Sequence, residues 1–74
     1  MIKLKKETVH VNSQAILSAT YDYNNKSLAL KFNNGKKYKY INVTPETFLS
    51  MKYAESIGKF INKYIIRNSE YAIQ

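Results

Sequence analysis

The sequence predicts an α+β fold: a small antiparallel sheet of three to four strands with two C-terminal helices packed on one face. The first half of the chain has stretches in which apolar and polar residues alternate, separated by turns rich in Asn and Gly. The second half has two helix starts, each followed by apolar residues at helical spacing. Because a sheet with one apolar face needs a cover, the two helices are expected to provide it.

The strands are assigned from this alternation. Residues 1–11 alternate loosely, which indicates an extended lead-in or an edge strand. Residues 15–23 predict a strand whose inner face carries Leu17, Ala19, Tyr21 and Tyr23. Residues 27–32 predict its neighbour, with Leu28, Leu30 and Phe32 on one face. An even loop between these strands is preferred over an odd one, because it keeps the apolar sets together; it pairs Tyr23 with Leu28 and Tyr21 with Leu30.

The next hairpin has two possible turns. Asn34 and Gly35 alone could form a type I′ turn, which pairs Phe32 with Lys37. A three-residue loop over 33–35, with Gly35 in the left-handed position, instead pairs Phe32 with Lys36. The second register is preferred, since it gathers the apolar residues Leu28, Leu30, Tyr38 and Tyr40 on one face and leaves Lys31, Lys37 and Lys39 on the other.

Two helices are predicted after the sheet. Thr44 is expected to cap the first, with Pro45 at its first position and Phe48, Met51 and Ala54 facing inward. Ser56 is expected to cap the second, whose apolar stripe is Ile57, Phe60, Ile61, Tyr64 and Ile65. Beside this stripe a basic row is spaced one helical turn apart: Lys59, Lys63 and Arg67.

Composition narrows the classes of function. The 74 residues carry 12 Lys and Arg against 5 Asp and Glu, a formal net charge of +7. Lys, Asn, Ile and Tyr are abundant and all have A/T-rich codons, so the charge reflects either genome composition or an anionic partner. The absence of Cys excludes disulfides and thiolate metal sites. No apolar run approaches the length of a membrane span and the start lacks the apolar region of a signal peptide, so a cytoplasmic location is expected.

Three features are candidates for binding. Ser56, Gly58 and Lys59 combine a cap, a position without side-chain bulk and a positive charge, which suits either a phosphate or an ordinary helix start. The row Lys59, Lys63 and Arg67 could follow a phosphodiester backbone or be a solvated face, and Asn62 lies one turn from Gly58. Tyr38 and Tyr40 could stack on unpaired bases, although the preferred register assigns them to the core.

Catalytic and metal sites have no positive sign in the sequence. His10 is the single histidine, and the five acidic residues show no paired spacing. Asp22, which follows Tyr21 and precedes a turn, is interpreted as a turn or cap residue. We therefore expect no enzyme activity, no metal and no cofactor.

The sequence resembles the KTSC domain family, which occurs at the C-terminus of some lysyl-tRNA synthetases and as small bacterial and phage proteins. The resemblance covers about residues 9–68, with 1–8 as a lead-in and 69–74 as a tail, so that residues 1–74 form one KTSC-like domain. It rests on Val11-x-Ser13-x-x-Ile16, Tyr21-Asp22, Leu28-x-Leu30-x-Phe32-x-x-Gly35-x-x-Tyr38-x-Tyr40, Val43-x-Pro45, Ser56-x-Gly58-Lys59-Phe60-x-Asn62 and Ile66-Arg67. Gln14 and Thr20 stand where the family commonly has Ser and Gly. The resemblance implies a nucleic-acid-binding module, with RNA as the ligand.

The leading hypothesis is a small, basic, non-catalytic module that binds RNA or single-stranded nucleic acid through a helix start and a basic helix row. The alternative is a phage or mobile-element module that binds or inhibits a host protein complex. No membrane contact is expected. The predicted nucleic-acid contacts are Ser56, Gly58, Lys59, Asn62, Lys63, Arg67, Lys31, Lys37 and Lys39, with Tyr38 and Tyr40 as possible aromatic contacts.

Overall fold

Four antiparallel strands come first along the chain, and the helices follow. The computed structural model describes residues 6–66. The strands β1 (Lys6–His10), β2 (Ile16–Asp22), β3 (Ser27–Phe32) and β4 (Lys37–Tyr40) lie in the sheet in chain order. The helices are α1 (Pro45–Lys52) and α2 (Ile57–Phe60), and α2 continues into a π-helical segment (Ile61–Ile66). This confirms the predicted α+β class, with the upper number of strands.

The β3–β4 hairpin has the register that the sequence favours. Leu30 pairs with Tyr38 and Lys31 pairs with Lys37. The Phe32 amide donates to the Lys36 carbonyl at 2.8 Å, and Gly35 has a φ of 89°. A left-handed glycine that closes a three-residue loop is the turn that keeps β4 in phase with β3. The three-residue loop is therefore confirmed.

The β2–β3 loop has an even number of residues, as predicted, but the predicted pairing of the two strands is wrong by two residues. Tyr21 pairs with Leu28 and Ala19 pairs with Leu30. The cause is Asp22, whose carboxylate accepts hydrogen bonds from the Asn24 and Asn25 amides at 2.9 and 3.2 Å and so ends β2 early. Asp22 is thus a turn residue, as the sequence indicates.

Leu17 is exposed, although the alternation predicts that it faces inward. The register of β2 against β3 shifts between Ile16 and Ser18, which marks a β-bulge at this point. A bulge inserts one residue into a strand and reverses the alternation beyond it. Ile16 is consequently buried in place of Leu17.

Residues 6–10 form the edge strand that was one of the two predictions for the start of the chain. β1 pairs with β2 from Lys6 opposite Asp22 to His10 opposite Ser18. The remainder of the predicted lead-in, residues 1–5, and the predicted tail, residues 69–74, lie outside the described residues.

Both helices begin at the predicted caps. The Thr44 hydroxyl accepts the Thr47 amide at 3.2 Å, and Pro45 opens α1. Phe48 and Met51 are fully buried, whereas Ala54 lies beyond the end of α1 and is half-buried. Ser56 caps α2 in the same way.

The core lies between the inner face of the sheet and the helices. The Tyr21 ring stacks on Phe48 with centroids 4.7 Å apart, and the Tyr21 hydroxyl donates to the Val43 carbonyl at 2.5 Å. Burial of this phenol raises its pKa, which keeps it protonated as a donor. The buried apolar residues are Val11, Ile16, Ala19, Tyr21, Leu28, Leu30, Tyr40, Val43, Phe48, Met51, Ile61 and Ile65. None of the helices within residues 6–66 has the length and apolar character needed to cross a membrane.

Candidate functional site

The start of α2 is a capped helix end packed against a loop. The Ser56 hydroxyl accepts the Lys59 amide at 3.4 Å, and the Phe60 amide donates to the Ser56 carbonyl at 3.0 Å. A β-carbon placed on Gly58 would lie 3.0 Å from the Ser13 β-carbon. The structure therefore gives Ser56 a capping role, and Gly58 lets the helix approach the β1–β2 loop.

A polar cleft of about 330 Å³ lies between this helix start and the β1–β2 loop. The side chain of Asn33 holds the loop, because its amide nitrogen donates to the Ser13 and Gln14 carbonyls at 3.2 and 2.6 Å. The residues that line the cleft are Asn12, Ser13, Gln14, Ser56, Gly58, Lys59 and Asn62. The cleft brings four predicted site residues together, and it adds residues of the β1–β2 loop that the sequence does not predict as binding residues. Their only sequence signal is the run of uncharged polar residues over 12–14.

The basic helix row is partly described. Lys59 and Lys63 are exposed, as predicted, and Arg67 lies outside the described residues. Tyr64, predicted to be in the buried stripe, is 47% exposed. Its ring lies 4.7 Å from the Phe60 ring, and the Lys63 ammonium lies 5.2 Å from its centroid. The reason is the π-helical winding from Ile61 onward, which widens the turn and moves Tyr64 away from the core.

The lysines of β3 and β4 lie together on the opposite face of the sheet, as the register predicts. Lys31 is directly opposite Lys37, and Lys39 follows two residues along β4. All three are exposed. Within residues 6–66 the single ion pair joins Lys52 to Glu7, so none of these three lysines has a carboxylate partner there.

The two central tyrosines face the helices, as the preferred register predicts. Tyr40 is buried, and its burial raises the pKa of its phenol. Tyr38 lies at the rim, is 36% exposed and meets the Phe32 ring edge-on at 5.5 Å. Tyr40 thus belongs to the core, and Tyr38 is the one of the two that is exposed to solvent.

Two of the acidic residues, Glu7 and Asp22, have structural partners. Glu7 accepts from Lys52 and, at 2.8 Å, from the Tyr23 hydroxyl, and these two hydrogen bonds, that of Lys52 first, lower its pKa. This network ties β1 to α1. Across the part of the chain that the structure describes, no three His, Asp or Glu side chains gather as metal ligands would.

The geometry defines a class of protein: a small α+β domain whose sheet has one face against two helices and the other open over the described residues. The KTSC domain family model matches residues 12–71, and the chain belongs to this family. A protein of Tsukamurella paurometabola is 46% identical over 52 residues, which are 70% of this chain and 78% of that protein. The crystal structure of a KTSC domain protein from Yersinia pestis superposes with a TM-score of 0.79 and 26% identity, over 93% of this chain and 94% of that one.

Proposed function

We propose that this KTSC domain is a cytoplasmic, non-catalytic module that binds RNA or another single-stranded nucleic acid through the helix surface formed by Lys59, Lys63 and Tyr64. The observation that carries the proposal is the exposed Tyr64 ring beside Lys63. Single-strand-binding surfaces combine rings that stack on bases with cations that contact phosphates. The helix surface offers both within two helical turns.

The polar cleft extends the helix surface toward the β1–β2 loop. Gln14 and Asn62 bring amide groups, each with donors and an acceptor, to the side of Lys59. Unpaired bases expose such complementary groups along their edges, and RNA adds the 2′-hydroxyl. Stacking on Tyr64 gives affinity for any base, whereas the cleft is the place where a preference among bases would arise.

The test is fluorescence anisotropy with a labelled single-stranded RNA and a DNA of the same sequence, at rising salt concentrations. Two lysine contacts predict that wild-type affinity falls about sevenfold between 50 and 200 mM salt. Lys59→Gln combined with Lys63→Gln should remove most of this dependence. Tyr64→Ser should weaken binding about 5- to 150-fold, the value of one stacked base.

The matched control removes two positive charges elsewhere. Lys26 and Lys36 are exposed turn residues, and Lys26→Asn with Lys36→Gln lowers the net charge by the same amount. Asn suits the positive φ of residue 26. Equal loss of affinity in the control and in the helix variant would show nonspecific attraction only and would contradict the proposal, as would no binding by the wild type.

A second candidate function is binding to a protein, as a phage or mobile-element module acting on a host complex would do. It is favoured by two exposed apolar side chains one turn apart on and after α1: Leu49, 43% exposed, and Tyr53, 76% exposed. Co-purification from native lysate with and without nuclease separates the two functions. A partner that survives nuclease and is lost on Leu49→Ser with Tyr53→Ser would favour this candidate.

A further inference from the structure

The open sheet face, defined here by Ser18, Thr20, Ala29, Lys31, Lys37 and Lys39, is a second surface with its own chemistry. Two depressions of about 280 and 150 Å³ lie on it. Both include Thr20 and Ala29, so together they form one groove along β2 and β3. The two residues that both depressions share, Thr20 and Ala29, have small side chains, which let another backbone approach the sheet closely.

The rim of this groove concentrates positive charge. Lys31 and Lys37 are cross-strand partners, an arrangement of like charges that destabilises a sheet. Lys39 lies about 7 Å further along β4, two residues of an antiparallel strand. No described carboxylate forms an ion pair with these three lysines. Asp22 lines the smaller depression beside Lys39, and its carboxylate accepts the Asn24 and Asn25 amides. An anion with charges repeated at this scale would relieve the repulsion, whereas a second copy of the chain packed face to face would increase it.

The aromatic residues of the sheet are on the other side. Tyr21 and Tyr40 are buried against the helices, and Tyr38 meets Phe32 there. Among residues 6–66 the open sheet face therefore carries no Phe or Tyr ring on which an unstacked base could lie, and its one imidazole, that of His10, lies on the edge strand β1 opposite Ser18. A duplex needs no aromatic side chain to stack on, since its bases are already stacked on one another and its phosphates lie outermost.

We infer that the open sheet face binds the phosphate backbone of a nucleic-acid duplex, separately from the helix surface. The inference rests on the proposed function only in taking nucleic acid as the ligand. Contacts through Lys31, Lys37 and Lys39 alone read no base, so binding is independent of sequence. The chain then has one surface for unpaired and one for paired segments.

The test uses a blunt-ended duplex probe in the same anisotropy assay. Three phosphate contacts predict that wild-type affinity falls about 40-fold between 50 and 200 mM salt. In Lys31→Gln with Lys37→Gln one contact remains, and the fall should be about fourfold. The control Lys26→Asn with Lys36→Gln should keep the wild-type salt dependence. Equal behaviour of the two variants would overturn the inference.

The helix variant separates this inference from the proposed function. For this comparison the helix variant, Lys59→Gln with Lys63→Gln, also carries Tyr64→Ser, and it should lose single-strand binding and keep duplex binding. Failure of the proposed function would appear in the wild type itself, which would then bind the duplex but not the single strand. Loss of duplex binding in the helix variant, or equally tight binding of poly-glutamate to the wild type through Lys31 and Lys37, would overturn the assignment of the open sheet face to a duplex.

Discussion

Substitution of Gly58 by alanine tests how closely the second helix must approach the β1–β2 loop. The added β-carbon would lie 3.0 Å from the Ser13 β-carbon and 3.1 Å from its hydroxyl oxygen. Both distances are shorter than ordinary van der Waals contacts, so either the helix or the loop has to move. The effect on stability depends on whether Ser13 can move.

Ser13 is held in place by hydrogen bonds around it. The Asn33 side chain donates to the Ser13 carbonyl at 3.2 Å, and the Ala15 amide donates to the Ser13 hydroxyl at 3.2 Å. The Asn33 amide also donates to the Ala15 carbonyl at 2.8 Å, which fixes the far end of the loop. A shift of Ser13 away from Gly58 would strain these bonds.

The magnitude follows from two opposing terms. Alanine gains at most about 1 kcal/mol over glycine in a helix, and less in the first turn, where Gly58 lies. Overpacking costs about 1–3 kcal/mol. We therefore expect Gly58→Ala to lower the free energy of unfolding by up to about 3 kcal/mol, although the same change at an open helix position would raise it.

A double-mutant cycle isolates the contact. Ser13→Gly removes both clashing atoms at the cost of one hydrogen bond, about 0.5–1.5 kcal/mol. In the double variant alanine keeps its helix gain without the clash, so the coupling free energy should be about 1–3 kcal/mol. Urea unfolding of the four proteins, followed by circular dichroism, measures it. A stabilised Gly58→Ala variant, or coupling below about 0.5 kcal/mol, would refute the reasoning.

Local turn and cap chemistry explains which parts of the fold could be predicted. The β3–β4 register follows from Gly35, because one loop length satisfies both its left-handed backbone and the burial of Leu30 with Tyr40. Thr44 and Ser56 begin helices because their hydroxyls accept the first free amides. Each of these features is decided by residues close together in the chain.

The β2 strand shows where this reasoning fails. Both Ile16 and Leu17 are apolar, so alternation alone does not reveal which one enters the core. The bulge between Ile16 and Ser18 places Ile16 inside, and the β1–β2 loop, with the Val11 amide donating to the Leu17 carbonyl at 3.0 Å, stabilises it. A contact between separate strands decides the outcome, and no local signal encodes it.

The positions of the charged residues in the candidate site could be predicted from the sequence, but the exposed ring and the cleft beside them could not. The placement of Lys31, Lys37 and Lys39 follows from strand parity once the hairpin is known. Tyr64 is exposed although its spacing predicts burial, because that spacing assumes an α-helix and the chain winds more widely from Ile61. The polar cleft depends on Asn33 reaching across to the β1–β2 loop, a contact over about twenty residues of sequence.

Two further predictions concern the hydrogen bonds that join the sheet to the helices. Tyr21→Phe removes the buried donor to the Val43 carbonyl and should lower the free energy of unfolding, measured in urea, by about 1–3 kcal/mol. The control Tyr53→Phe changes an exposed ring and should leave the free energy of unfolding unchanged. Equal effects of the two substitutions would contradict the hydrogen bond assigned to Tyr21. Glu7→Gln tests the link from β1 to α1. The hydrogen bond from Lys52 lowers the pKa of Glu7 below its ordinary value of 4.5 in the folded state, so its stabilising effect is complete above that value and is lost as the pH falls through the folded-state pKa. The pKa of Lys52 is raised from 10.5 by the same bond, so its contribution is unaffected in this acidic range and declines only in alkali. The wild type should therefore lose more stability than Glu7→Gln between about pH 5 and about pH 3 in thermal unfolding. Parallel pH profiles for the two proteins would show that the bond to Lys52 does not stabilise the fold.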